Sequence, residues 1–394
     1  MRVLDVTEFY SMRGGGIRSH LEAKSHVLCQ RDIPHRIVAP GPENRRQRLG
    51  SCGELELLRG PRVPYDPTYH ALWRPDRVAA SIREFAPDVV EVHSAYVAVA
   101  GALLATPGVV HGGRAAPYTR RQRPTHTPVP LRTLVWHSDH VGTYVEPWLA
   151  PRVGARAADV LTAPLWAAIA ALTRQFAATF VASRTQLDRL REHGAVRVEV
   201  LPFGVDPRFH PRPRDPTART HHVVAVGRMA VEKRWDLLLD AFAEAAQDRP
   251  EWRLLALGDG PERGALEARA RRLLPPERVH FAGFLDRDTL AQTLASAEVF
   301  VHACPHETFG LAVAEALASG LLAVVPDRGG ASEWAHEPRV RTFQSGNVHD
   351  AAAQLRAWID LPASTRLPAP TVLGVTEHFT QLLERYRELR GARG

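Results

Sequence analysis

Short apolar runs with strand propensity alternate with helical patterns along the whole chain, and this alternation constrains the fold most. Many runs end at Gly, Ser or His, where a chain can turn. Continuous apolar strands separated by helices are typical of a parallel sheet covered on both faces. In the first half we predict strands at residues 3–6, 36–39, 89–93, 133–136 and 179–182, and a helix at 17–29.

The second half repeats this pattern and therefore predicts a second doubly wound α/β domain. Its predicted strands are at 222–226, 253–257, 279–281, 299–302 and 322–325. The proline-rich stretch 202–219 has little periodicity and is interpreted as a linker. Apolar residues at helical spacing predict a last helix at about 376–390. We thus predict domains at 1–203 and 204–374, followed by a C-terminal helical segment at 375–394.

Length and composition indicate a globular protein of two domains. The chain has 394 residues, of which 45% are hydrophobic and 24% charged, whereas single cores stop growing beyond roughly 250 to 300 residues. The Ala-rich stretch 155–171 is interrupted by Arg156, Asp159 and Pro164, so we predict a buried helix rather than a membrane span. The N-terminal residues lack the pattern of a secretory signal, and a cytoplasmic location is expected.

The three cysteines are Cys29, Cys52 and Cys304, an odd and scattered set. Their spacing argues against a disulfide framework or a metal site and favours a reducing compartment. The net charge of +7 is carried almost wholly by arginine. A GC-rich genome explains this excess, and an anionic acceptor or membrane surface is the functional alternative. No nucleic-acid partner is expected, because no recognition motif accompanies the charge.

One segment, CPHETFGLAVAEALASG at 304–320, has the features of a ligand-binding helix start. The helix is predicted to begin near Phe309 and Gly310 and to end at Gly320. Gly310 lets the backbone approach a ligand, and the free N–H groups of Gly310 and Leu311 suit a diphosphate at the positive end of the helix.

Two glutamates flank that helix start, and each can accept hydrogen bonds from hydroxyl groups. Glu315 on the helix suits the two hydroxyls of a ribose, and Glu307 before the helix suits those of a sugar. The spacing alone is explained equally well by an amphipathic helix with a solvated glutamate at each end.

The glutamate spacing resembles the E-x7-E signature of retaining glycosyltransferases with the GT-B fold, and more narrowly those of family four. Other family motifs have counterparts in the expected order: Gly15-Gly16 with His20, PFGVD at 202–206, GRMAVEKR at 227–234, GDGPE at 258–262, FAGF at 281–284 and Gly329-Gly330. Phe203 stands where the family usually has Asn, and Leu321-Leu322-Ala323 departs from the usual sequence after Gly320. These departures leave the choice between UDP-linked and GDP-linked donors open.

The resemblance implies a GT-B fold, in which two Rossmann-like domains face a central cleft and the C-terminal helix returns to the first domain. It implies that the first domain binds the acceptor and the second the nucleotide sugar. The implied reaction is retaining transfer of a hexose to a hydroxyl acceptor with an α-linkage. No cofactor is expected beyond the donor, which is a substrate.

Arg228 and Lys233 match the family's cations, which reach the diphosphate and offset charge on the leaving group. Two solvated surface cations are the alternative. Further donor-binding residues implied by the matched motifs are Gly15, Gly16, Gly227, Gly258, Phe284, Phe309, Gly310, Leu311 and Glu315.

A histidine after a strand of the first domain reaches the donor sugar in this family. We assign His137 to that role, with His93 and His111 as rivals. A structural histidine that only satisfies local hydrogen bonds is the alternative, and Asp139 and His140 are candidate supporting residues.

No essential metal is expected, because Asp286-Arg287-Asp288 begins a predicted helix and is interpreted as a helix cap rather than a DxD metal site. A basic, proline-rich loop at 114–132 lies in the predicted acceptor domain. It either binds an anionic acceptor or lipid headgroups, giving peripheral membrane association, or is a solvated loop. Its arginines are Arg114, Arg120, Arg121, Arg123 and Arg132.

Two other functions share the same motifs. A GT-B sugar-nucleotide epimerase or hydrolase would release the nucleotide without an acceptor. A non-catalytic nucleotide-sugar-binding protein would not turn over the donor at all.

Overall fold

A computed structural model describes residues 1–11, 15–64, 66–93, 97–105, 129–212, 220–362 and 365–392. The chain divides into two compact units. Unit 1 consists of Met1–Pro202 and Thr376–Gly394, and unit 2 of Phe203–Val375. Gly14, His111, Arg114, Arg120, Arg121, Arg123 and residues 213–219 of the predicted linker lie outside the described residues.

Unit 1 is built on an eight-stranded sheet with the order β10-β9-β8-β7-β1-β2-β4-β3. Its strands are β1 (Val3–Val6), β2 (His35–Gly41), β3 (Arg45–Leu49), β4 (Gly53–Arg59), β7 (Val89–Val92), β8 (Leu131–Trp136), β9 (Ala178–Val181) and β10 (Val198–Val200), with a separate hairpin of β5 (Arg62–Val63) and β6 (Asp66–His70). Its helices are α1 (Gly16–Cys29), α2 (Pro75–Phe85), α3 (Val97–Ala105), α4 (Glu146–Val153), α5 (Ala155–Thr173), α6 (Arg184–Glu192) and α12 (Val375–Gly391), and a π-helical turn spans Val141–Val145.

The eight-stranded sheet is parallel except at one edge. Strands β1, β7 and β8 are buried along their whole length, which explains their mostly apolar sequences, and their charged residues Asp5, Glu91 and Arg132 are buried as well. The edge strand β3 runs antiparallel to β4 and carries arginines, one of which, Arg46, pairs with Glu56 at 2.9 Å. Because charged residues replace the apolar pattern on β3, no strand was predicted there.

Unit 2 contains a six-stranded, wholly parallel sheet with the order β13-β12-β11-β14-β15-β16. Its strands are β11 (His222–Val226), β12 (Arg253–Leu257), β13 (Val279–Gly283), β14 (Val299–Val301), β15 (Leu322–Pro326) and β16 (Val340–Phe343). Its helices are α7 (Trp235–Ala245), α8 (Arg263–Leu273), α9 (Arg287–Ser296), α10 (Leu311–Ala318) and α11 (Val348–Ile359), with 3-10 turns at Val231–Lys233, Pro276–Arg278 and Gly330–His336. The prediction of two Rossmann-like α/β domains is confirmed.

The last helix, α12, packs within unit 1 although the chain reaches it through unit 2. It buries Phe379 and Tyr386, and the Tyr386 hydroxyl donates to Glu91 on β7 at 2.5 Å. Arg385 forms a bidentate ion pair with Glu199 on β10, with both N–O distances 2.7 Å. These contacts tie the C-terminus to the first sheet.

Three sequence expectations for unit 1 are wrong. Helix α5 was expected to be buried, but only five of its residues are, namely Ala158, Thr162, Trp166, Ala170 and Thr173. Cys29 and Cys52 are joined by a disulfide with 5.3 Å between their Cα atoms, because α1 ends beside the turn before β4. Arg132 is not part of a basic loop, since it lies in β8 and is 1% exposed.

Among the described residues, α5 is the one helix whose length and hydropathy would suffice to cross a membrane, and 22% of its apolar window is buried. A single helix of this kind also occurs in many proteins without a membrane span, so the helix by itself does not show that the chain crosses a membrane.

Candidate functional site

In unit 2, the carboxyl ends of neighbouring strands carry glycines in conformations that other residues rarely adopt. Gly227 follows β11 with φ 156°, and Gly258 follows β12 with φ 140°. A Cβ atom on Gly258 would lie 2.0 Å from the carbonyl oxygen of Gly227, so the loop after β12 tolerates no side chain at that contact. The two loops therefore lie close together at the edge where open α/β sheets bind ligands.

The loop after β11 presents both predicted cations. Arg228 Nη2 donates to Glu232 at 2.7 Å, and its side chain is 31% exposed. Lys233 Nζ donates to Glu307 Oε2 at 2.6 Å, although the two residues are 74 positions apart. The fold thus brings Lys233 and Glu307 into one ion pair, and both side chains remain partly exposed, at 26% and 22%.

The ion pair fixes the charges of both groups. Burial raises the pKa of Glu307, but Lys233 and His302 outweigh it and lower that pKa to about 2. Burial opposes the charge on Lys233, yet Glu307 holds the pKa of the ammonium above its ordinary value. Both groups are charged at neutral pH, and a diphosphate entering here would compete with Glu307 for the ammonium.

Gly329 and Gly330 hold the loop that carries Glu307 in place. The Gly330 N–H donates to the Glu307 carbonyl at 2.6 Å, and a Cβ on Gly330 would lie 2.3 Å from the Thr308 carbonyl oxygen. Phe309 is 8% exposed and packs edge-on against Trp334, with ring centroids 5.5 Å apart. Phe309 therefore holds the loop through its ring, and only its backbone is available to a ligand.

Helix α10 begins as the sequence predicts, with Gly310 at its N-cap in a left-handed conformation, φ 82°, and Leu311 as its first residue. Glu315 lies on α10 with its side chain 5% exposed and accepts from Arg287 Nη1 at 2.7 Å. Burial raises the pKa of Glu315, and Arg287 only partly offsets this. Arg287, which the sequence analysis placed only in a helix cap, is thus the direct partner of Glu315, a residue predicted to bind the ribose.

Two other predicted positions of unit 2 lie near the end of β13. Phe284 is 55% exposed, which leaves its ring available for stacking. Asp286 caps α9 by accepting from the backbone N–H groups of Asp288 and Thr289, so its interpretation as a helix cap is confirmed.

In unit 1, Gly15 is the N-cap of α1 with φ 124°, and Gly16 is the first helical residue. Their backbone lies at the end of α1 nearest β1, and the closest described atom to a Cβ on Gly15 would be the Tyr69 hydroxyl at 3.7 Å. The two glycines thus give an accessible helix start of the kind that binds anions.

His137 and its rival His93 belong to the same hydrogen-bonded chain. His93 Nδ1 and His137 Nε2 are 2.7 Å apart, and His93 Nε2 lies 3.0 Å from Asp5 Oδ1. Burial favours neutral Asp5, but Lys24 and His35 hold the pKa of its carboxyl well below the ordinary value. His93 Nε2 therefore donates to the Asp5 carboxylate, and one proton lies between the two histidines.

This chain holds His137 in place and keeps it uncharged. Burial, with His93 adding to it, lowers the pKa of His137 well below the ordinary value. His93 is 1% exposed, whereas His137 is partly exposed, so His137 is the better placed of the two to meet a ligand. Asp139 is engaged elsewhere, because it accepts from Arg189 and from the Gly142 N–H.

Lysine occurs at only two positions of the chain, Lys24 and Lys233. Among the described residues, two clusters have the side chains to hold a metal ion: Asp5, Glu91 and His93, and His302, Cys304 and Glu307. Each cluster contacts one of the lysines. Lys24 Nζ donates to Asp5 at 2.7 Å and to Glu91 at 2.6 Å, in the way that Lys233 meets Glu307. Both lysines thus supply the positive charge that these carboxylates require.

Comparison with known proteins identifies the family. The sequence profile described as "Glycosyltransferase Family 4" matches residues 14–209, and the profile "Glycosyl transferases group 1" matches residues 212–368. A GDP-mannose-dependent alpha-(1-6)-phosphatidylinositol dimannoside mannosyltransferase of Mycobacterium tuberculosis is 30% identical over 334 residues, which cover 82% of this chain and 79% of the relative. The chain belongs to glycosyltransferase family four.

Two further comparisons agree with this assignment. A GDP-mannose-dependent alpha-mannosyltransferase of Corynebacterium glutamicum is 28% identical over 84% of this chain and 73% of its own length. The structure of a sucrose-phosphate synthase from Thermosynechococcus elongatus superposes with a TM-score of 0.76 over 100% of both chains at 16% identity, which shows the same GT-B fold. The protein is therefore a glycosyltransferase that uses a nucleotide-sugar donor.

Proposed function

We propose that this glycosyltransferase transfers mannose from GDP-mannose to a hydroxyl group of a lipid-linked acceptor, with retention of configuration and an α-linkage. The observation that carries the proposal is the similarity, over about four fifths of the chain, to a GDP-mannose-dependent phosphatidylinositol dimannoside mannosyltransferase. A second GDP-mannose-dependent relative supports the same donor. Unit 2 is the proposed donor-binding domain and unit 1 the proposed acceptor-binding domain.

The donor diphosphate is proposed to bind where unit 2 concentrates positive charge. Lys233 and Arg228 contact its oxygens, and the N–H groups at the start of α10, Gly310 and Leu311, add the positive end of a helix. Charge grows on the diphosphate as the bond to the sugar breaks, so cations fixed beforehand lower the barrier. When a phosphate replaces Glu307 as the partner of Lys233, the Glu307 carboxylate becomes available to the sugar hydroxyls.

The remaining roles follow from the chemistry of each group. Glu315, held by Arg287, accepts from the ribose hydroxyls, and Phe284 stacks on the base. His137 is proposed to meet a sugar hydroxyl as an uncharged hydrogen-bonding group rather than as a general acid. The acceptor hydroxyl attacks from the face that the diphosphate leaves, and a diphosphate oxygen takes its proton.

We further propose that the reaction needs no metal ion and that the enzyme acts in the cytoplasm. Two cations and a helix start supply the positive charge that Mg²⁺ gives to other transferases. Turnover in the presence of EDTA tests the first statement directly.

The proposal as a whole is tested with purified enzyme, a phosphatidylinositol-based acceptor, and separate incubations with GDP-mannose, GDP-glucose, UDP-glucose and UDP-galactose. We expect transfer from GDP-mannose and an α-anomeric signal in the NMR spectrum of the product. Transfer from UDP-sugars alone would refute the donor, and a β-linked product would refute retention. Release of free GDP at the same rate with and without acceptor would indicate a hydrolase instead.

A further inference from the structure

Helix α5 of unit 1 presents an apolar face to solvent. Its buried residues recur at intervals of three or four, from Ala158 to Thr173, and form one narrow stripe. The opposite side is exposed and mostly apolar; besides several alanines it presents Val160, Leu161, Pro164 and Leu165. Val160 is 72% exposed and Leu161 55%, so this is an open surface rather than a shallow crease. A soluble helix normally places charged residues there.

The buried stripe anchors α5 firmly to unit 1. The Trp166 ring stacks on His193 with centroids 4.1 Å apart, and the Arg189 guanidinium lies 4.8 Å from the same ring. Trp166 Nε1 also donates to Glu146 at 3.1 Å. A helix packed along one side in this way can lie on a bilayer with its outer face inserted.

The preceding helix α4 adds interfacial side chains. None of its residues is buried, and Trp148 is 56% exposed. The Arg152 guanidinium lies over the Trp148 ring, 4.4 Å from its centroid, so a cation accompanies the exposed aromatic side chain. Tyr144, in the turn before α4, is 47% exposed. Tryptophan, tyrosine and arginine are the residues enriched where proteins meet the headgroup region of a membrane.

The charge around these helices favours anionic lipids. Arg152, Arg156 and Arg174 are exposed along α4 and α5 and just after α5. The acidic residues of the same stretch are Asp159 and Glu146, and Glu146 is paired with Arg189 at 2.5 Å. Positive charge beside an exposed apolar helix attracts the negative surface of a bilayer that contains acidic phospholipids.

We propose that α4 and α5 form a membrane-docking surface that binds bilayers containing anionic phospholipids, with the outer face of α5 inserted among the acyl chains. The inference rests on the proposed function for its purpose, since docking would bring the enzyme to a lipid-linked acceptor. Binding to a bilayer itself requires neither donor nor acceptor, so the two proposals can fail separately.

The test is co-sedimentation of the full-length enzyme with vesicles of phosphatidylcholine alone or of phosphatidylcholine mixed with phosphatidylglycerol. The variants are Leu161→Asp and Trp148→Ala. Leu273→Asp on α8 and Trp73→Ala are matched controls, because Leu273 and Trp73 are also exposed, at 41% and 58%. All five proteins are compared by thermal melting, which detects any loss of folding.

We expect the wild type to bind the mixed vesicles more tightly than phosphatidylcholine alone. Leu161→Asp should weaken binding by about tenfold or more, the scale for withdrawing one leucine from an apolar phase, while both control variants bind as the wild type. Wild type that sediments with neither vesicle would overturn the proposal. So would a Leu161→Asp variant that binds normally, or sedimentation velocity showing that the apolar face instead joins two copies of the chain.

Donor turnover is measured in parallel without vesicles, as GDP release from GDP-mannose with a short-chain, water-soluble form of the phosphatidylinositol-based acceptor. Vesicle binding without mannose transfer would refute the proposed function and leave the docking surface standing. Equal mannose transfer by wild type and Leu161→Asp, with no vesicle binding by either, would refute the docking surface and leave the proposed function standing.

Discussion

Replacing Lys233 with methionine removes the ammonium that meets Glu307 but keeps much of the side-chain volume. The structure shows that this cation holds Glu307, and we propose that it also meets the donor diphosphate. For the second role we expect turnover to fall by about 10² to 10³-fold, the usual cost of losing one fixed donor to developing charge. Arg234→Ala is the control, because Arg234 is the next residue and pairs only with exposed Asp236 among the ion pairs of the described residues.

The stabilising role can be given a magnitude. Glu307 has a pKa of about 2 in the folded chain against an ordinary value of 4.5, which corresponds to about 3 kcal/mol of unfolding free energy at neutral pH. The folded pKa is the lower one, so this contribution is complete above about pH 4.5 and is lost as the pH falls toward 2. Lys233→Met should remove up to about 3 kcal/mol at pH 7 and flatten the acid dependence of stability in that range.

A double variant separates the two roles. Glu307→Gln combined with Lys233→Met leaves no carboxylate without its cation, so most of the stability should return. Turnover should remain low, because both donor contacts are absent. The assays are urea unfolding between pH 3 and 7 and steady-state GDP release. Normal turnover in Lys233→Met, or recovery of turnover in the double variant, would refute the assignment of Lys233 to the diphosphate.

Chemical labelling gives an independent measure of the same contact. Lys24 is 1% exposed by its side chain, so reductive methylation of the folded protein should modify Lys233 and the N-terminal amine, with little at Lys24. GDP or GDP-mannose should protect Lys233 and leave the N-terminus reactive, as read from peptide masses. Equal methylation of Lys233 with and without nucleotide would contradict the contact.

Two further predictions concern the groups that support the site. His93→Ala should lower kcat by about tenfold with little change in the KM for donor, because it releases His137 from the Asp5 chain. The pKa of His137 is lowered well below its ordinary value. Protonation of His137 should therefore cause no fall in the wild-type kcat between pH 8 and 6.5. Gly330→Ala should shift the loop around Glu307 and raise the KM for donor, because a Cβ there would lie 2.3 Å from the Thr308 carbonyl oxygen; unchanged KM would show that the loop absorbs the methyl group.

The sequence predicted what local pattern controls. Strands β1, β11 and β12 have the predicted boundaries, since a strand inside a parallel sheet is a mostly apolar run that can be recognised without knowing its neighbours. The start of α10 at Leu311 followed from the glycine before it. Candidate ligand-binding positions in unit 2 could likewise be predicted, because glycines and cations directly follow strands there.

Long-range partners were not predictable in this way. Nothing local joins Arg287 to Glu315 or Lys24 to Tyr386, whose hydroxyl lies 3.0 Å from the ammonium. The burial of α5 was misjudged because an apolar helix has the same composition whether it faces a core or a bilayer. The pairing of Cys29 with Cys52 required the end of α1 to be placed beside β4, which only the folded sheet provides.

The two lysines show how charge placement connects stability with function. Lys24 is 1% exposed and donates hydrogen bonds to Asp5, Glu91 and Tyr386, so its charge stabilises the fold. Lys233 has one carboxylate partner within bonding distance among the described residues and is 26% exposed, so a diphosphate can replace that partner without first uncovering a buried charge. An ion pair that is partly exposed is weak enough to exchange and strong enough to hold the ammonium in position beforehand. That difference in exposure is the physical reason to assign donor binding to Lys233 and not to Lys24.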